Sequence, residues 1–195
     1  MKNSEERARF FMSDARKEWH DPQIVLGAIG IMKGMALADL GSGPGFFTIP
    51  MAQMTGDNGS VYAVDRDPNM LKYLQENIAR AGVNEKIIKI VNSDVTSTGL
   101  SKNSIDTVFF ANVLHEVSDK TAFFQEVKRI CKPSAKVVDL DWKKIKTDHG
   151  PPLQERLTER EAAKLFSENG FTIIKEMNAG LSHYELICKL IKIDS

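Results

Sequence analysis

Between residues 39 and 45 the chain reads Asp39-Leu40-Gly41-Ser42-Gly43-Pro44-Gly45, with glycine at every second position after the acid. A backbone without Cβ atoms turns sharply and comes within hydrogen-bonding reach of a ligand, so this run points to a bound small molecule. Two more acids stand where short apolar runs end. Asp65 closes Val61-Tyr62-Ala63-Val64, and Asp94 follows Val91-Asn92-Ser93. A carboxylate in such a place accepts hydrogen bonds from the hydroxyl or amino groups of a nucleoside. The plainer alternatives are that Asp39 is a strand-end acid beside an ordinary turn and that Asp94 caps the turn after it. Further on, Asn112-Val113-Leu114-His115-Glu116-Val117 holds the one histidine that falls inside a motif. Its imidazole suits substrate contact or proton removal, and equally suits a structural hydrogen bond at a strand-to-helix corner.

These residues need a frame, and the periodicity supplies one. Short apolar runs predict strands at Met35 to Leu40, Val61 to Asp65, Ile87 to Val91, Ile105 to Asn112, Lys136 to Asp141, Thr172 to Met177 and Tyr184 to Leu190. Amphipathic stretches lie between them. Asp67-Pro68 opens a helix through Met70, Leu71, Leu74 and Ile78 that stops at Gly82, and Thr158-Glu159-Arg160-Glu161 is a capping box whose helix ends at Gly170. Ser118 is placed as the cap of the helix carrying Phe123, Phe124, Val127 and Ile130, and Asp21-Pro22 opens a shorter helix reaching Ile31. Phe46 onward reads as helical. Alternation of this kind predicts an α/β fold with a largely parallel sheet. Residues 178–182 are too few for a helical crossover, so the last two strands are expected to be antiparallel neighbours.

The glycine pattern then narrows the ligand. In a dinucleotide loop the third small residue after Gly41 and Gly43 would fall at Phe46, whose ring would obstruct the close helix approach that such loops need. The run Asp-x-Gly-x-Gly-x-Gly, with acids at the next two strand ends, resembles the class I S-adenosylmethionine-dependent methyltransferases. The stretch Asn112 to Val117 is similar to the small-molecule branch related to ubiquinone and menaquinone biosynthesis methyltransferases. The resemblance implies a Rossmann-like three-layer sandwich with a seven-stranded sheet and an antiparallel last strand. It also implies S-adenosylmethionine as methyl donor, S-adenosylhomocysteine as product, and no metal. Asp39, in this reading, accepts hydrogen bonds from loop N–H groups, Asp65 takes the ribose hydroxyls and Asp94 the adenine amino group. Gly41, Ser42, Gly43, Gly45, Arg66, Met70, Val95 and Asn112 complete the expected cofactor contacts. His115 is the catalytic candidate, and Trp19, Trp142 and His149 are the candidates for touching the acceptor. The segment with Arg16, Trp19, His20 and Pro22 resembles the variable cap that covers the cofactor pocket, giving residues 1–33 as cap and 34–195 as the cofactor-binding domain of a single-domain protein.

Composition sets outer bounds. The chain has 195 residues, with 26 Lys plus Arg against 26 Asp plus Glu, so no global positive field exists to hold a phosphate backbone and a nucleic-acid substrate is disfavoured. No apolar run is long enough to span a membrane, and residues 1–7 are polar without an apolar stretch behind them, which leads to an expected cytoplasmic location. Cys131, in a helical pattern, and Cys188, in a strand pattern, read as reduced thiols. His20 and His183 read as surface or structural residues. A homodimer stays open. The expected partner is a small-molecule acceptor, with four alternatives: an RNA acceptor, a protein acceptor, a nicotinamide-dependent oxidoreductase, and a cofactor-binding protein of this fold without catalysis.

Overall fold

Strand-forming runs and capped amphipathic stretches alternate along the computed structural model, which describes residues 4–13, 16 and 20–191. The strands are β1 (Ala36–Leu40), β2 (Ser60–Asp65), β3 (Ile88–Asn92), β4 (Ile105–Ala111), β5 (Cys131–Trp142), β6 (Phe171–Ala179) and β7 (His183–Leu190). The helices are α1 (Ser4–Phe11), α2 (Pro22–Ile29), α3 (Thr48–Thr55), α4 (Pro68–Ala81), α5 (Lys120–Ile130) and α6 (Glu159–Glu168), with a 3-10 turn at Glu85–Ile87. The strands form one sheet in the order β3-β2-β1-β4-β5-β7-β6. Strands β1 to β5 pair in parallel, and β7 runs antiparallel to both β5 and β6. The order reverses between β1 and β4, and at such a reversal the connections leave in opposite directions and open a crevice at the carboxyl ends of the strands.

Each face of the sheet is covered by helices. Phe109 and Phe110 are neighbours in β4 and are both fully buried, but side chains alternate along a strand and the two rings enter different cores. Phe110 lies in one core with Phe123, Phe124 and Phe166 of α5 and α6, while Phe109 meets Phe47 and shares its core with Leu26 and Leu74 on the side of α2, α3 and α4. Because α2 supplies Val25, Leu26 and Ile29 to the latter core, residues 22–29 share their packing with the sheet. Helix α1 lies against α4.

Local signals explain most element ends. Asp67 accepts the Asn69 N–H at 2.9 Å and Gly82 ends α4 at φ 63°. Thr158 and Glu161 form the expected reciprocal capping box. Four details differ from expectation. Helix α5 is capped by Asp119, which accepts the Ala122 N–H at 2.9 Å, rather than by Ser118, because a carboxylate reaches the orphan amide one residue later. Helix α2 stops at Ile29 because Gly30 adopts φ 74°. The helix after the glycine loop begins at Thr48, two residues later than Phe46. Cys131 begins β5 instead of lying in the helix, although its N–H still caps Val127. Both cysteines are buried and free. Among the described residues no helix is long and apolar enough to cross a membrane.

Candidate functional site

The crevice predicted by the strand order holds a cavity of about 270 Å³. Asp39, Gly41, Ser42, Gly43, Asp65, Arg66, Met70, Asp94, Val95 and Asn112 all line it, together with Arg7, Phe11, Arg16, Phe46, Phe47, Glu116 and Val117. Gly45, His115, Trp142 and His149 do not line it, and Trp19 lies outside the described residues.

The glycine loop needs its glycines for different reasons. Gly41, Gly43 and Gly45 have φ of 75°, 53° and 98°, a region in which a Cβ is strained. A side chain on Gly41 would run into Val113, and one on Gly45 would run into Leu74 of α4, so these two positions let the loop pack against its neighbours. At Gly43 nothing stands in the way, and that position faces open space. The N–H groups of Gly41 and Ser42 reach the Val64 carbonyl at 2.8 and 3.0 Å, tying the loop to the end of β2.

The acids divide the work differently from expectation. The loop N–H of Gly43 donates to Asp65 Oδ2 at 2.8 Å, and the Asp67 N–H to Asp65 Oδ1 at 2.9 Å, so Asp65 shapes the loop. Asp39 does not accept from the loop; its Oδ2 accepts the Thr48 hydroxyl at 2.5 Å, which ties the end of β1 to the start of α3. Burial raises the Asp39 carboxyl to about 7, although the Thr48 hydrogen bond pulls the other way. Asp94 is exposed and caps the turn after β3, with Oδ1 accepting from the Thr96 N–H at 2.9 Å and its hydroxyl at 2.7 Å. Those two bonds hold it below the usual carboxylate range while it still lines the cavity.

A second wall of the cavity is residues 111–118, which pack against the glycine loop at Val113 and take their geometry from β5. Asn112 sits at φ 60° with its N–H on the Leu140 carbonyl at 2.7 Å. Asp141, 1% exposed, receives the His115 N–H at 3.1 Å on Oδ2, and its Oδ1 pairs with His115 Nδ1 at 2.7 Å and the Trp142 N–H at 2.8 Å. Burial works against charge on His115, but the hydrogen bond and charge of Asp141 outweigh it and raise the imidazole above its ordinary value. His115 therefore anchors the wall from behind, while Glu116 beside it reaches the cavity.

The connection from β5 to α6 was expected to touch the acceptor through Trp142 and His149. It is organised instead around Arg156, which is 4% exposed. Its guanidinium donates to the carbonyls of Pro151, Ile145 and His149 at 2.9 Å each, to that of Lys143 at 3.3 Å, and to the Thr147 hydroxyl at 2.7 Å. It also stacks 4.8 Å above Trp142. Trp142 packs on His183 with ring centroids 4.0 Å apart, and His183 on His20 at 4.6 Å. Both histidines are buried, so the structural reading holds and the surface one does not; burial depresses His20 to about 3 and His183 to about 2.

Sequence reading missed Thr48, the Asp141 partner of His115, Glu116 and the hub role of Arg156. The Asp141 partner lies 26 residues from His115, and Thr48 and Arg156 meet partners 5–13 residues away through the fold rather than through a local pattern; only Glu116 had a signal, its place beside His115. Two groups at the cavity await a partner: Ser42 Oγ and Asn112 Oδ1 are buried without a hydrogen bond to any described residue. Buried polar atoms in that condition are rare in proteins and mark where a ligand or water completes the bonding. With the open face of Gly43 and the carboxylates of Asp65 and Asp94, they fit a ligand carrying a nucleoside and an amino-acid end.

Comparison with known proteins agrees with that chemistry. A family described as methyltransferase domain matches residues 38–138. A demethylmenaquinone methyltransferase of Staphylococcus aureus (strain MRSA252) is 31% identical over 117 residues, covering 60% of this chain and 47% of the relative. A ubiquinone/menaquinone biosynthesis C-methyltransferase of Shewanella halifaxensis (strain HAW-EB4) is 24% identical over 171 residues, 88% of this chain and 64% of that protein. The chain thus spans about half to two thirds of the length of these curated relatives. The crystal structure of a SAM-dependent methyltransferase from Aquifex aeolicus superposes with a TM-score of 0.90 at 29% identity, covering 98% of this chain and 100% of that one.

Proposed function

The chain belongs to the methyltransferase-domain family, and from that premise we propose that it transfers a methyl group from S-adenosylmethionine to a nucleophilic atom of a small molecule. The observation that carries this reading is the shared cavity: the glycine loop and the wall of residues 111–118 line one space, so a donor site and an acceptor side adjoin. S-adenosylmethionine, when bound, supplies a methyl group on a positively charged sulfur that is already activated toward nucleophiles. What remains for the chain is to position and desolvate the reactants, work that needs no metal. Asp65 would receive the ribose hydroxyls, Asp94 the adenine amino group, and Ser42 and Gly43 the amino-acid end. Asn112 to Val117 would form the acceptor wall, held in place by the Asp141–His115 pair, and Arg7, Phe11 and Arg16 of the N-terminal segment would cover the cavity. A small acceptor suits a protein with balanced charge, which gives no broad basic surface for nucleic acid.

Calorimetry with S-adenosylmethionine, S-adenosylhomocysteine and NAD tests the donor; binding of NAD alone would overturn the reading. Labelled donor added with a metabolite extract tests the acceptor. Label is expected in the small-molecule fraction, and label confined to RNA or protein would overturn that part.

A further inference from the structure

Five acids line the cavity, and four of them are already engaged. Asp39 is held by Thr48, Asp65 by the Gly43 and Asp67 amides, Asp67 by the Asn69 amide and Asp94 by Thr96. The fifth, Glu116, accepts no hydrogen bond from a described residue; its one ion pair among them is a loose contact with His115, whose Nε2 lies 3.8 Å from Oε1. The turn from Val113 to Glu116 fixes where that carboxylate stands. The Glu116 N–H meets the Val113 carbonyl at 2.9 Å, and Val113 is the residue that packs against Gly41. His115 goes the other way, with its N–H and its ring on Asp141 behind the wall, so Glu116 is left facing the cavity with its side chain 61% exposed. No other residue from 111 to 118 that lines the cavity carries a charge. In either protonation state of His115, the Asp141–His115 pair adds no net positive charge, so the negative charge of Glu116 stands uncompensated on this wall. Arg7, Arg16 and Arg66 also line the cavity, and among the described contacts none pairs with it.

We infer that Glu116 reads positive charge at the junction of donor and acceptor, so that the cavity keeps the sulfonium donor over its neutral thioether product and turns away an acceptor that arrives as an anion. The inference rests on the functional reading above. With the nucleoside on Asp65 and Asp94 and the amino-acid end on Ser42 and Gly43, the sulfur that joins them falls where the glycine loop meets Val113, and Glu116 stands one turn further along. In the transfer a lone pair of the acceptor forms the bond to the methyl carbon, and the carbon–sulfur bond breaks with its electrons going to sulfur. The positive charge thereby moves to an acceptor that entered uncharged, which then sheds its proton to solvent. A carboxylate beside this path has a cation to face before and during the step, and it loses that partner once the product is complete, which favours release. While water fills the cavity an exposed carboxylate is well screened; a ligand that displaces the water strengthens the attraction.

The test compares three ligands that share the nucleoside and the amino-acid end and differ in charge at the junction. S-adenosylmethionine carries a sulfonium there, sinefungin an ammonium group in place of the methyl, and S-adenosylhomocysteine a neutral sulfur. Their affinities are measured by calorimetry at neutral pH for the wild-type chain, Glu116→Gln and Glu116→Lys. Glu116→Gln should weaken both cations by about 3- to 10-fold relative to S-adenosylhomocysteine, between the worth of an exposed ion pair and that of a charged hydrogen bond. Glu116→Lys, which reverses the charge, should widen that loss. The side chain is exposed, so neither substitution disturbs the core, and an unchanged affinity for S-adenosylhomocysteine reports that each variant is folded. An unchanged ratio of cation to thioether affinity in both variants, or equal losses for all three ligands, would overturn the assignment. A wild-type chain that binds none of the three would overturn the methyltransferase reading itself.

Discussion

Two loops leave the carboxyl edge of the same sheet, the glycine loop after β1 and the connection after β5, and they treat their polar groups in opposite ways. The first leaves Ser42 Oγ without a partner among the described residues, faces Gly43 into open space and bends through left-handed backbone. The second closes on itself: Arg156 gathers four carbonyls and a hydroxyl and lays its guanidinium on Trp142. An open loop with unmet donors and acceptors is built for a ligand, whereas a loop that satisfies its own groups is built to stay put. The sequence marks the first as a ligand loop but also offers Trp142 and His149 of the second as contacts for the acceptor.

The sharpest way to break this contrast is Arg156→Ala. It leaves four partly buried carbonyls without their donor and a tryptophan without its cover, and a loss of about 3–5 kcal/mol is expected, as for breaking a hydrogen-bond network centred on a buried charge. The loss should concentrate in residues 143–157, which should become protease-sensitive with a red-shift in tryptophan fluorescence, while affinity for S-adenosylhomocysteine stays within about twofold, well under the 1.4 kcal/mol that makes a factor of ten. A large loss of affinity would mean that the second loop belongs to the site after all.

Next in size is Asp39→Asn, which probes the cost of keeping the first loop open. The folded-state pKa of Asp39 is raised to about 7. Its stabilising contribution is therefore full below the unfolded value near 4 and is lost as pH rises through 7, because the folded chain must then hold a buried charge. Asparagine cannot ionise. The two proteins should melt together at pH 4, and above pH 7.5 the variant should be the more stable by an amount of order 1–4 kcal/mol. Parallel melting curves from pH 4 to 8.5 would show that Asp39 titrates normally.

The glycine loop and the three acids could be read from the sequence because the determinants are local: three glycines in seven residues, and a carboxylate at the end of each of three strands. The seven strands and the terminal hairpin were legible for the same reason, since periodicity and a short link are properties of neighbours in the chain, and the link is shorter still in the fold, residues 180–182. What escaped was every pairing made by the fold. Asp141 is 26 residues from His115, and nothing in either segment says that the imidazole turns toward β5 and away from the cavity. The assignment of Asp39 to the loop amides failed because Asp65, on a different strand, stands closer to Gly43. The resemblance offers Trp142 and His149 as acceptor contacts, and nothing local in residues 142–149 says that the segment folds round Arg156.

The last comparison is between the two acids on the nucleoside side, and it separates shaping from touching. Asp65→Ala removes the acceptor for the Gly43 and Asp67 amides as well as the proposed ribose contact, and should weaken S-adenosylhomocysteine by about 1–3 kcal/mol. Asp94 is exposed and already engaged by Thr96 through one oxygen. An exposed polar pair contributes little, so Asp94→Asn, which keeps that Oδ1 acceptor, should cost under about 1 kcal/mol. The ratio of the two losses, measured by calorimetry at one salt concentration, is the useful quantity. If Asp94→Asn costs as much as Asp65→Ala, the adenine end is held by charge rather than by the shape of the loop, and the turn after β3 would join the glycine loop as a binding element.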